Sequence, residues 1–281
     1  MSLTLWYIVM GIGLVGMIWC AKAQKRTPNA KLYAVICLAV VVLSAIMVLV
    51  SFFSDPEQER AMSNANQFEL AKVNRIAQFV NENYAGKDVV ILVRQDQLPQ
   101  PNSDFVRIDP VKELTKRLKN VNVKETVVMN PPTEEEMKAM GGDPEMMPAF
   151  EMSLSPEFYN KKFLECKALD PAAIIDLAGL PMGETCNKLV VWSWARGKKG
   201  PRLILPEVND IGLCFEPMQL GPEGIIDCVV VVRNDRKFNF MDDTAPKDLN
   251  EAFDVLYAFV TKDNLAQLVK DKSITIVEPM K

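Results

Sequence analysis

Two long runs without a charged side chain constrain this chain before anything else does. Leu3–Cys20 (LTLWYIVMGIGLVGMIWC) and Leu32–Phe53 (LYAVICLAVVVLSAIMVLVSFF) are apolar stretches of 18 and 22 residues. At about 1.5 Å of rise per residue, each is long enough as a helix to cross a hydrocarbon layer of roughly 30 Å. Spans 3–20 and 32–53 are therefore expected to form a transmembrane hairpin. Ala21-Lys22-Ala23 imitates a signal-peptide cleavage site, but no basic segment precedes the first run. A lipidated Cys20 is disfavoured too, because the bulky Trp19 stands where a small residue is required.

The connector carries Lys22, Lys25, Arg26 and Lys31, whereas the second run exits through Ser54-Asp55-Pro56-Glu57. The positive-inside rule puts that connector in the cytoplasm, and with it the N-terminus and everything after Ser54 outside. The expected location is a bacterial inner membrane with a periplasmic or extracellular C-terminal domain. Gly11-Ile12-Gly13-Leu14-Val15-Gly16 spells a dinucleotide fingerprint, yet it lies inside an apolar span with no preceding strand. Small residues for close helix packing are the better reading.

Past the hairpin the composition changes abruptly. Residues 1–54 hold no acid and four bases, while the other 227 hold 28 Lys and Arg against 36 Asp and Glu, a net of −8. Such acidity argues against nucleic acid as a partner. The whole chain has no histidine, which excludes imidazole relays, HExxH zinc sites and imidazole pH switches. No cofactor and no metal site is indicated.

Residues 55–86 read as a juxtamembrane amphipathic helix: from Pro56 to Tyr84 there is no internal proline or glycine, and Ala61, Met62, Ala65, Phe68, Val73, Ile76, Phe79, Val80 and Tyr84 share one side of the wheel. Gly86 stops it. Residues 87–281 then alternate between elements. Strands are expected at 88–93, 125–129, 172–177, 189–194, 202–205, 225–232 and 273–277. Helices are expected at 111–119, 155–167 and 249–260. This order predicts an α/β fold, a three-layer and mostly parallel sheet with helices on both faces. Over short pieces, the helix-glycine-strand opening and the AAIIDLAGLP turn, it resembles Rossmann-like and periplasmic-binding-like layered domains, and no family is assigned.

In open parallel sheets the binding crevice lies beyond the carboxyl ends of the strands, where strand order switches. That rule selects Arg94, Gln95, Asp96, Asn130, Asp176, Gly179, Trp194, Arg196, Glu207, Asn209 and Asp210 as ligand-binding candidates. Two arginines facing several acids could bind an anion, a sugar or a divalent cation; the alternative is solvated loops and caps. Trp192 and Trp194, expected on one strand face, suit core packing better than a sugar platform. Arg196 to Arg202 is a basic turn that an acidic partner could use.

Met129–Met152 contains six methionines among prolines and glycines. It reads as a lid or pliable partner surface rather than a copper site, since no histidine or cysteine joins it. Outside the spans stand Cys166, Cys186, Cys214 and Cys228, an even set that permits two disulfides in an oxidising compartment, although Cys214 and Cys228 sit in apolar stretches suited to buried thiols.

The expectation that joins these features is a membrane-anchored extracytoplasmic binding or protein-interaction module, which needs no catalysis. Its partners would be the membrane through both spans, and a protein through the spans or the Met129–Met152 loop. A carboxylate-dependent envelope hydrolase would need two acids from Asp96, Asp176, Glu207 and Asp210 across one cleft. A third option is a structural subunit of a membrane assembly.

Overall fold

In a computed structural model, the residues described are 3–23, 29–53, 56–99, 107–131, 155–181, 184–197, 200–208 and 224–274. The chain divides into two compact units, Met1–Ala61 and Met62–Lys281.

In the first unit, α1 (Leu3–Ala23) and α2 (Ala30–Phe53) are continuous helices. Both are long and apolar enough to cross a membrane. Their outward surface is apolar, with Ile12, Val15, Ile18, Trp19, Leu32, Val35 and Leu43 all exposed. Where the two helices touch, a Cβ on Gly13 would stand 2.7 Å from a Val41 methyl carbon and one on Gly16 would stand 2.8 Å from Cys37 Sγ. Gly13 and Gly16 of the false fingerprint thus permit close helix approach.

The second unit is built on a six-stranded sheet of order β2-β1-β3-β4-β5-β6. Its strands are β1 (Asp88–Arg94), β2 (Asn122–Met129), β3 (Ala173–Asp176), β4 (Arg202–Leu205), β5 (Ile226–Val232) and β6 (Tyr257–Val260). The first five are mutually parallel, and β6 runs antiparallel to β5. β1 and β3 are buried along nearly their whole length, as the uninterrupted Val/Ile/Leu runs require of a sheet covered on both faces.

Alternation along each strand divides the core in two. On one face lie Ile91, Val93, Ile175, Ile204 and Val230, covered by α3 (Pro56–Asn83), α4 (Pro110–Arg117) and α8 (Leu249–Leu256). On the other lie Leu92, Ile174, Leu203 and Val229, covered by α5 (Pro156–Ala168), α6 (Glu184–Asn187), α7 (Val191–Gly197) and α9 (Leu265–Lys270). The side chains of Asp109, Ser155 and Asp248 accept from first-turn backbone N–H groups of α4, α5 and α8.

Three expectations need correction. From Met62 onward, the helix expected as a separate juxtamembrane segment over 55–86 belongs to the same unit as the sheet: Phe68, Ala71, Val73, Ile76 and Val80 are buried against it. The segment 189–194 is not a strand, since Val191–Gly197 is α7. Its apolar run suits a buried helix as well as a strand, and tertiary packing decides between them. Finally, the helix expected over 249–260 ends at Leu256, where Tyr257 turns extended and Tyr257–Val260 pairs with β5 as the sheet edge. The last expected strand, 273–277, lies mostly outside the described residues; Ser273 and Ile274 are not in a strand.

Candidate functional site

Strand order reverses at β1: β2 lies on one side of it, β3 and the rest on the other. The chain leaves β1 toward α4 on one face and leaves β3 toward α6 and α7 on the other. A crevice is expected between those diverging loops. Gln97 spans it. Its Oε1 accepts from the Arg94 backbone N–H at 3.1 Å, and its Nε2 donates to the Leu177 carbonyl at 2.9 Å. This side chain pins the end of β1 to the end of β3.

On the α3 side of that clamp is a cleft of about 290 Å³. Its apolar wall comes from Met62, Ala65, Ile108, Pro110, Leu177 and Pro206. Its charges are Glu69, Lys72, Arg107 and Glu207. Lys72 stands in the middle of the buried face of α3 with its side chain 7% exposed, and its Nζ lies 2.7 Å from Glu69 Oε2 and 2.9 Å from Glu207 Oε2. Its ammonium also sits over the Tyr257 ring, 5.9 Å from the centroid. Burial by itself would push the Lys72 ammonium down. Glu69 and Glu207 outweigh that, so the net direction is up and the group stays charged. Burial also pushes the Tyr257 phenol up to about 12, with Lys72 opposing. Glu207 is different, 62% exposed and paired with Lys72 of α3. Arg107 is exposed and makes no ion pair among the described residues. Its segment docks on α3, where the Ile108 backbone N–H donates to Asn66 Oδ1 at 3.2 Å.

Asp176 and Gly179 belong to the other side of the sheet end. Asp176 is 1% exposed, and neither carboxylate oxygen has a hydrogen-bond partner among the described residues. Burial pushes its carboxyl up to about 7, against the opposing pull of the Gly179 and Ala178 amides and of Arg94. The same carboxylate acts on the Cys166 thiol of α5, which burial first and Asp176 second push up to about 12. Gly179 holds φ at +78°, the left-handed region where a side chain is strained, so the turn after β3 uses glycine for its backbone. Arg94 faces the same side, its Nε 3.1 Å from Asp96 Oδ1 and its second nitrogen 3.2 Å from Asp96 Oδ2.

The expected site is thus divided by the sheet. Arg94, Asp96, Asp176 and Gly179 gather on one side of the switch point, and Glu207 lines the cleft on the other. Asn130 is exposed at the end of β2, beside Met129, the register partner of Arg94. Trp194 is in neither place. It packs edge-on to Phe163 at 6.4 Å under α5, with Lys167 Nζ 4.8 Å from its ring. Trp192, a helical turn's half away, donates to the Cys186 carbonyl at 2.6 Å. Arg196 is in α7 with its side chain outside the described residues, as are Asn209, Asp210, Cys214 and residues 132–152 of the expected Met-rich segment. Asp176 and Glu207, candidate partners across one cleft, fall on opposite faces. Cys166 and Cys186 are buried in one core cluster and Cys228 in the other, with the sheet between them.

Sequence reasoning missed Glu69, Lys72, Gln97 and Arg107. Lys72 had a readable signal, since a lysine four residues after Phe68 and four before Ile76 lies in the middle of the apolar stripe. Comparison with protein-family models, curated proteins and solved structures finds no match to this chain.

Proposed function

We propose that the protein is a membrane-anchored binding module, whose α1–α2 hairpin holds it in a bacterial inner membrane and whose Rossmann-like α/β unit takes a small solute outside the cytoplasm. The observation that carries the reading is the cleft beyond β1, β3 and β4. It lies at the switch in strand order, where open α/β sheets bind ligands, and combines an apolar wall with a few charged groups. Its volume suits a small molecule rather than a peptide. The hairpin supports anchoring, and the four bases of the connector support the outward orientation.

Two experiments test it on the full chain. Small molecules extracted from the detergent-solubilised protein are compared by mass spectrometry between the parent and Ala65→Trp, which fills the cleft. A compound retained by the parent and lost from the variant is expected, whereas equal retention overturns the cleft. For sidedness, Asp263→Cys places a thiol at a position 80% exposed. An impermeant maleimide should label it in intact spheroplasts above the parent level. Labelling only after lysis overturns the orientation.

A further inference from the structure

The polar atoms that the cleft leaves open define the charge of its ligand. Lys72 is already held by two carboxylates, so Glu69, Lys72 and Glu207 together carry one net negative charge. Glu207 is mostly exposed and spends one oxygen on Lys72, leaving the other for a donor. Arg107, on the same cleft, carries a positive charge that no acid among the described residues neutralises, and a guanidinium is shaped for a carboxylate. The cleft's amide groups are committed: both polar atoms of Gln97 are bonded to backbone, and Asn66 Oδ1 holds Ile108. Between the charges lie Ala65, Ile108 and Leu177.

We infer that the ligand is a small zwitterion with an apolar spacer: an ammonium group received by the Glu69–Lys72–Glu207 cluster, and a carboxylate received by Arg107. A lone anion would meet Glu69 and Glu207, and a lone cation would meet Arg107. Only a molecule carrying both leaves each group of the cleft paired. This inference rests on the cleft being the binding site and adds the chemistry of its occupant.

The test is calorimetric titration of the full detergent-solubilised chain with 6-aminohexanoate, and with hexanoate and hexylamine as singly charged compounds of matched length. Expected is binding of 6-aminohexanoate at least tenfold tighter than of either control. Arg107→Gln should abolish the preference over hexylamine, and Glu207→Gln should reduce the preference over hexanoate. Both positions are exposed, and retention of the parent's thermal midpoint certifies the fold. Equal binding of all three compounds, or no binding of 6-aminohexanoate, overturns the zwitterion. The cleft itself fails separately, if Ala65→Trp leaves binding of every retained compound unchanged.

Discussion

Arg94 and Asp176 stand on the same face of neighbouring strands, Arg94 two residues beyond Leu92, the register partner of Asp176. The arginine is turned to Asp96, and the buried carboxyl lacks a hydrogen-bond partner among the described residues. Its elevation from 3.8 to about 7 therefore means that the folded state keeps a proton the unfolded chain has lost over roughly pH 4 to 7. Stability contributed by this group is full below pH 4, falls as pH rises across that window, and is level above it. The total is on the order of 4 kcal/mol. Asp176→Asn should remove that slope and leave the protein more stable than the parent at pH 8. Denaturant titrations in detergent at pH 4.5 and pH 8 check it; identical pH dependence in parent and variant would contradict the assignment.

The Lys72 cluster should respond unequally to loss of its members. Glu207→Gln removes a carboxylate that is mostly in water, and about 0.5 kcal/mol is expected. Glu69→Gln alone leaves Lys72 paired with Glu207. Removing both strands a buried ammonium, at about 3–5 kcal/mol. A double-mutant cycle read by chemical denaturation should therefore show coupling above about 1 kcal/mol, whereas additive single losses would mean that Lys72 is solvated.

Much of this was legible in the chain, for identifiable reasons. β1, β3 and β5 announce themselves because strands buried on both faces need unbroken β-branched runs, and the caps at Asp109, Ser155 and Asp248 carry the residue types that accept first-turn N–H groups. Strand order is different. It comes from which helix covers which face, and without it the consecutive residues Asp176 and Leu177 cannot be assigned to opposite sides of the crevice. The 189–194 segment failed because LVVWSW suits a buried helix and a buried strand equally. The cleft was missed because five of its twelve lining residues come from α3, read as a juxtamembrane helix preceding the sheet domain.

Asn64 shows what α3 does beyond covering the sheet. It is 3% exposed within the apolar face, donates to the Phe240 and Asp243 carbonyls at 2.9 and 2.8 Å, and accepts from the Ala245 N–H at 2.9 Å. Those three bonds hold the 240–245 segment and so seat Phe238 and Phe240 against Phe68. Asn64→Ala leaves the buried Ala245 N–H without its partner and should cost about 1–3 kcal/mol. Limited proteolysis should cut first within 238–245, and unchanged protection there would show that the aromatic contacts suffice.

Trp194 tests whether the tryptophan pair serves packing or recognition. Its ring is buried on the α5 side, away from the cleft, so Trp194→Ala should lose about 3–5 kcal/mol while ligand affinity at saturating fold stays unchanged. Gly200 supplies a sharper readout. A Cβ there would lie 2.7 Å from the Trp194 Cβ and 2.9 Å from its ring, so Gly200→Ala should cost about 1–3 kcal/mol through crowding. In the Trp194→Ala background the two ring contacts are gone and only the approach to Cβ is left, so the same substitution should cost less. Melting curves of the two single variants and the double variant decide it: strict additivity would mean that the 200 turn is fixed by something other than the indole.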